Sequence, residues 1–178
     1  MIPFESMTRE ELSLLAKTAG GIEAKDIVEI GARYGDSSIV LARIASSYGG
    51  TLYCVECDPK QEWVERMRVE GFDNWVMLKT FSPWVDYARL PTKIDYLLID
   101  GDHRTSYCIA DFHFFSPFVR AGGMVAIHDT RLKEENVGKM VMRAVKIILE
   151  DHPNFRVHSE CGGKFGMIVL RKIEERLR

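Results

Sequence analysis

The sequence has no long hydrophobic run, no surplus of either charge and few cysteines. No apolar stretch approaches the ~20 residues needed to span a bilayer, so no membrane segment is expected. Lysine and arginine number 24 against 26 aspartates and glutamates, a formal charge of −2. A general nucleic-acid binder would carry a basic surplus, so nucleic acid is not expected as a partner. Met1-Ile2-Pro3-Phe4-Glu5-Ser6 contains no basic stretch leading into an apolar one. No secretory leader is therefore expected, and the expected location is cytoplasmic. The four cysteines include one C-x-x-C pair, Cys54 and Cys57, without a second close pair to complete a structural zinc site. Cys54 lies in an apolar run, where free cysteine packs as a small hydrophobe. Repeats, linkers and low-complexity tracts are absent too, so one domain is expected over residues 1–178.

What is present is ordinary for a globular protein: 46% hydrophobic and 28% charged residues. Thr8-Arg9-Glu10-Glu11 is a capping-box start for an amphipathic helix that Gly20-Gly21 ends. Strands are expected at 27–30, 52–56, 75–79, 94–100 and 124–128, with Pro117 and Gly122-Gly123 forming the turn into the last of these. Helices are expected between them, at 37–47, 61–70 and 106–114, and then at 136–150, where apolar residues recur at helical spacing. Two further strands, 155–159 and 165–171, are close enough to form a hairpin through Gly162-Gly163. This alternation predicts an α/β fold: a Rossmann-like, doubly wound, mostly parallel seven-stranded sheet with a C-terminal antiparallel hairpin.

The most informative stretch runs from Val28 to Ser38. An apolar β run meets Gly31 and Gly35, and a helix opens at Ser37-Ser38. Glycine permits a tight turn and close approach of a ligand. The helix start offers free N–H groups to an anionic group. Arg33 stands where a G-x-G-x-x-G fingerprint has its middle glycine, which weakens a nicotinamide dinucleotide reading. The second strand ends in Glu56, 21 residues past Gly35, placed to accept hydrogen bonds from ribose hydroxyls. Asp36 is expected to cap the helix, or else to reach the ligand.

In open α/β sheets ligands bind beyond the carboxyl ends of the strands. There the sequence collects polar residues: Glu56, then Thr80-Phe81-Ser82-Pro83-Trp84, Asp100-Gly101-Asp102-His103 and His128-Asp129-Thr130. His103 is a candidate general base, since histidine titrates near neutral pH. His113, His152 and His158 read as packing or surface residues, and Trp63 and Trp75 as core. Arg131 and Lys133 follow the fifth strand and read as a solvated loop, with an anionic substrate as the alternative.

Taken in order, these motifs from Ile27 to Thr130 resemble the class I S-adenosylmethionine-dependent methyltransferases. The nearest likeness is to the macrolide-sugar and rhamnosyl O-methyltransferase family, with catechol and caffeoyl-CoA O-methyltransferases more distant. The resemblance implies methyl transfer from S-adenosylmethionine to a hydroxyl of a small molecule or sugar. It places Gly31, Ala32 and Gly35, with Glu29 nearby, at the methionine end of the cofactor. Glu56 falls at the ribose and Ser82 at the adenine, with Phe81 or Trp84 flanking the ring. Asp100 falls beside the methionyl amine or in a divalent-metal site completed by His128 and Asp129. His103 takes the general-base position.

One residue departs from the pattern. His128 stands where related metal-dependent enzymes carry an acid or amide. Magnesium prefers oxygen ligands, whereas two carboxylates and an imidazole suit manganese, iron or zinc, so the metal stays open. A non-catalytic cofactor-binding module or partner subunit is the alternative to an enzyme. Little sequence remains for a substrate lid, so acceptor contacts are expected from the N-terminal helix, the loop after the fifth strand or a second copy in a homodimer.

Overall fold

Alternation of apolar strands and amphipathic helices gives this chain one seven-stranded sheet covered on both faces. A computed structural model describes residues 6–133 and 136–173. Met1–Glu5, on which the expectation of no secretory leader rests, lies outside them. The strands are β1 (Asp26–Ile30), β2 (Thr51–Val55), β3 (Trp75–Leu78), β4 (Ile94–Ile99), β5 (Val119–His128), β6 (Phe155–Cys161) and β7 (Met167–Lys172). The helices are α1 (Arg9–Gly21), α2 (Asp36–Ser47), α3 (Gln61–Val69), α4 (Thr105–Phe115) and α5 (Val137–Asp151). The sheet order is β3-β2-β1-β4-β5-β7-β6. β1 to β5 run parallel, and β7 is antiparallel to both β5 and β6. No described helix is long and apolar enough to cross a membrane.

The period-two geometry of strands divides the core into two layers. Val28 and Ile30, Leu97 and Ile99, and Val125 and Ile127 pack with Phe112, Phe115, Val141 and Ile148 of α4 and α5. Ile27, Tyr96, Leu98, Met124 and Ala126 pack on the opposite face with Leu15, Leu41, Trp63 and Met67 of α1, α2 and α3. By the same alternation Glu29 and His128 point to the α1–α2–α3 face, which decides their partners. All four cysteines are free, and Cys54 donates to Glu29 at 3.2 Å.

Two expectations are corrected. Gly122-Gly123 does not form a turn before β5. The strand begins at Val119, and the glycines sit within it where the register against β4 shifts between Ile94 and Tyr96. A Cβ at Gly123 would meet the Arg120 and Asp95 carbonyls at 2.9 Å, so glycine lets the strand bulge there rather than end. Asp36 does not cap α2, whose N-cap is Gly35 in the left-handed region at φ 91°. Asp36 instead accepts from Ser6 N at 3.2 Å and pairs with Arg66 of α3 at 2.8 Å.

Candidate functional site

The sheet order reverses between β1 and β4, opening a crevice at their carboxyl ends. A cleft of 670 Å³ occupies this place. Gly31 shapes its floor: at φ +87° a Cβ would meet the Asp100 carbonyl oxygen at 2.2 Å, so only glycine lets the β1 and β4 loops close together. Glu56 borders the cleft at the tip of β2. Its Oε2 accepts from Ala32 N at 3.1 Å and Arg33 N at 3.2 Å, and its Oε1 from Asp58 N at 2.9 Å. The acid therefore holds the glycine loop while facing the cleft.

Of the sequence-predicted residues, Gly31, Ala32, Glu56, Ser82, Asp100, His103 and Asp129 line this one cleft. Glu29, Gly35 and His128 stand behind it. Glu29 is fully buried and accepts from Ser37 and Ser38 of α2, the latter at 2.5 Å. Burial pushes its carboxyl up to about 7, against the pull of those hydroxyls. A Cβ on Gly35 would meet the Trp63 ring at 2.9 Å, so Gly35 lets α3 approach.

At the other end of the cleft, Asp100, His103 and Asp129 bring ligand atoms within 4.8 Å of one another. His103 Nε2 is 2.7 Å from Asp129 Oδ2 and 3.9 Å from Asp100 Oδ1. That nitrogen is not aligned on either carboxylate oxygen. The carboxylates of Asp100 and Asp129 push His103 up to about 9. Asp129 adopts φ 61°, a left-handed conformation that aspartate tolerates better than most residues. Burial works to raise its carboxyl, but His103 and His128 hold it well below the usual range.

His128 is nearly inaccessible behind this pair. Its Nδ1 lies 3.0 Å from Asp100 Oδ1 and 3.5 Å from Asp129 Oδ2, and its Nε2 lies 3.5 Å from Glu11 Oε2. Burial would lower its pKa, yet the carboxylates of Asp100, Asp129 and Glu11 push it up to about 12. The three donors that face the cleft are two carboxylates and the His103 imidazole; His128 braces the two acids from the interior. This donor set, with a buried and unaligned imidazole nitrogen, fits a divalent ion of the manganese, iron or zinc type.

Sequence reading assigned Glu11 only to the capping box. That box is present, with Thr8 N donating to Glu11 Oε2 at 2.6 Å. The same carboxylate also accepts from Phe165 N at 3.0 Å and Gly166 N at 2.7 Å. The available signal was its phase: Glu11, Leu15, Thr18 and Ala19 share the buried face of α1. Asp111 was missed as well. It sits mid-helix in α4, 2% exposed, and accepts from Ser82 at the cleft wall.

Comparison with known proteins adds the following. The sequence matches a protein-family model described as a methyltransferase domain over residues 28–130. The chain is 25% identical over 152 residues to rhamnosyl O-methyltransferases of Mycobacterium tuberculosis and Mycobacterium bovis, covering 79% of this chain and 62% of those proteins. Among solved structures, an O-methyltransferase from Bacillus cereus in complex with S-adenosylhomocysteine superposes with a TM-score of 0.79. It shares 18% identity, covering 96% of this chain and 84% of that one. An O-methyltransferase from Streptomyces achromogenes involved in tomaymycin synthesis, in complex with S-adenosylmethionine, gives a TM-score of 0.77 at 19% identity, covering 97% and 83%. These two likenesses establish the fold.

Proposed function

The chain belongs to the methyltransferase-domain family, and from that premise we propose that it transfers a methyl group from S-adenosylmethionine to a hydroxyl oxygen of a sugar or other small molecule. The observation that carries the reading is the convergence, in one cleft, of a glycine-turn loop, a strand-tip acid and an Asp–His–Asp cluster. The named relatives, O-methyltransferases of which one class is rhamnosyl, support a hydroxyl and a sugar.

The cofactor's sulfonium supplies an already activated methyl group, so orientation is much of what remains for the protein. Glu56 accepts the ribose hydroxyls, exchanging some of the loop N–H bonds it now makes. Gly31 and Ala32 let the loop backbone lie against the methionine end, beside Asp100. Phe81 and Trp84, whose rings meet edge-on at 5.3 Å, flank the adenine. The His103 imidazole takes the acceptor's proton, and Asp129, 2.7 Å from Nε2, stabilises the imidazolium that forms. In that role His103 must first be neutral, and the two flanking carboxylates oppose this. Asp100 and Asp129 would hold a divalent ion, which would lower a hydroxyl's pKa and fix its position while His103 stays free to act as the base. A cation there also offsets the carboxylate charge and favours neutral His103.

The test is a calorimetric titration of the protein with S-adenosylmethionine, S-adenosylhomocysteine, NAD and ATP, followed by mass spectrometry of a panel of sugars and hydroxylated metabolites. Micromolar binding of the first two ligands, and a methyl mass increment on a hydroxyl, are expected. Comparable binding of NAD would overturn the cofactor assignment. Binding without methylation of any acceptor would favour a non-catalytic module.

A further inference from the structure

A second cleft, of 490 Å³, opens between the carboxyl-terminal half of α1 and the β6–β7 hairpin. Met124 lines it, pairs with Arg171 of β7, and lies four residues before His128 on β5, about 13 Å along the strand. The cleft therefore sits toward the amino ends of the parallel strands, away from the candidate active site. Methyl transfer as described gives it no task.

Its lining is one-sided in charge. Lys17 of α1, His158 of β6 and Arg171 of β7 border it and are all exposed; among the described residues no aspartate or glutamate borders it. In a chain with a formal charge of −2 this is a local reversal of sign. Arg120 makes the contrast plain. A Cβ at Gly122 would lie 3.4 Å from Arg120 Nη1 and 3.8 Å from Arg171 Nη2. Arg120 is paired with Asp95, while Arg171 has no carboxylate partner among the described residues.

The edge strand is bent to present this lining. The register of β6 on β7 shifts between Val157 and Ser159, so His158 is the extra residue of a bulge. Past the bulge, Ser159 pairs with Val169 on the α1 side of the sheet. Its hydroxyl is buried and has no hydrogen-bond partner among the described residues. The neighbouring Thr18 hydroxyl, by contrast, is taken by Tyr96 at 2.7 Å. A buried hydroxyl without a partner is costly, and an acceptor oxygen entering the cleft would remove the cost. Leu14, Ile22 and Met124 make the rest of the lining apolar.

We propose that this cleft binds a phosphate monoester with an apolar body. The planar fork of Arg171 suits two phosphate oxygens, and Lys17 adds a compact charge. Ser159 donates to the phosphate, and the organic part lies on Leu14, Ile22 and Met124. The proposal does not depend on the methyl-donor reading.

The test is isothermal titration with 1-naphthyl phosphate, 1-naphthol and inorganic phosphate. Wild type should bind the ester more tightly than either fragment, by about tenfold. Arg171→Gln and Lys17→Gln should each weaken the ester by about fivefold or more, and Ser159→Ala by about twofold to fivefold. All three positions lie outside the candidate active site, so S-adenosylhomocysteine affinity should not change in any variant. Failure of wild type to bind the ester overturns the proposal. So does naphthol or inorganic phosphate binding as tightly as the ester. Unchanged ester affinity in both charge variants puts the ester elsewhere and overturns the site. Lys17 and Arg171 are exposed, so both variants should fold by circular dichroism; if one does not, the other decides.

Discussion

Glu11→Gln should destabilise the protein at neutral pH and do so progressively less in acid. Glu11 is fully buried, and its carboxylate serves Thr8, Phe165, Gly166 and His128 together. Burial works against the charge, but His128 and those backbone N–H groups hold the carboxyl down at about 2, against an ordinary 4.5. At about 1.36 kcal/mol per pH unit, that gap is worth about 3 kcal/mol. The folded pKa is depressed, so the contribution is complete above 4.5 and is lost as pH falls through about 2. By pH 3 it should have dropped by more than half, to about 1.4 kcal/mol. Glutamine keeps the shape and discards the charge, leaving His128 with one carboxylate fewer. Urea unfolding at pH 7 and pH 3, on both proteins, measures the difference. With slopes of about 1–3 kcal/mol/M, the neutral-pH midpoint should fall by about 1–3 M, and the two curves should draw together at pH 3. Equal midpoints at pH 7, or a deficit of the same size at both pH values, would show that Glu11 is not held as a charged partner of His128.

The other predictions concern the cleft. Glu56→Ala should weaken S-adenosylhomocysteine binding by about 1.5–3 kcal/mol, the scale of hydrogen bonds to a charged group; unchanged affinity by calorimetry would remove the ribose assignment. Gly31→Val should abolish that binding, because its Cβ meets the Asp100 carbonyl at 2.2 Å; normal binding would mean the loop does not cradle the cofactor. His103→Ala should lower turnover by about 10²–10⁴-fold and spare cofactor affinity. Since His103 is pushed up to about 9 by Asp100 and Asp129, wild-type activity in chelator should rise with pH to that value. Added manganese should move the rise to lower pH, and a pH profile indifferent to the metal would sink the divalent-ion assignment.

The sheet was legible because parallel strands buried on both faces read as apolar runs, as 94–99 and 124–128 do. The strand tips were legible because topology confines ligands to them, and Glu56, Asp100, His103 and Asp129 do meet in one cleft. The start of β5 was not, since Gly122-Gly123 reads the same whether a turn or a bulge. Glu11 was half legible. Its bond to Thr8 is local, but its bonds to Phe165 and Gly166 span 154 and 155 positions, and no short-range pattern carries them. Asp111 was hidden for another reason. Its partner Ser82 comes from a loop that crosses the strand tips, so the pairing exists only once β3 and α4 are in place. Glu29 shows the reverse case, an acid in a binding motif whose observed partners are α2 hydroxyls and a thiol.

The reach of Glu11 has a consequence for the order in which this protein is made. The residues proposed to hold the cofactor lie between Gly31 and Asp100, and the chain can assemble them from β1 to β4 before its last strands are made. The Asp100–His103–Asp129 side, to which proton transfer is assigned by proposal, waits on α1 meeting the loop before β7, a closure across most of the chain, and such non-local contacts form late. Until then Glu11 remains hydrated and His128 lacks one of its carboxylates. A nascent or refolding molecule should therefore pass through an interval in which it grips S-adenosylhomocysteine before its reaction centre is set, and stopped-flow refolding would register the two events as separate phases.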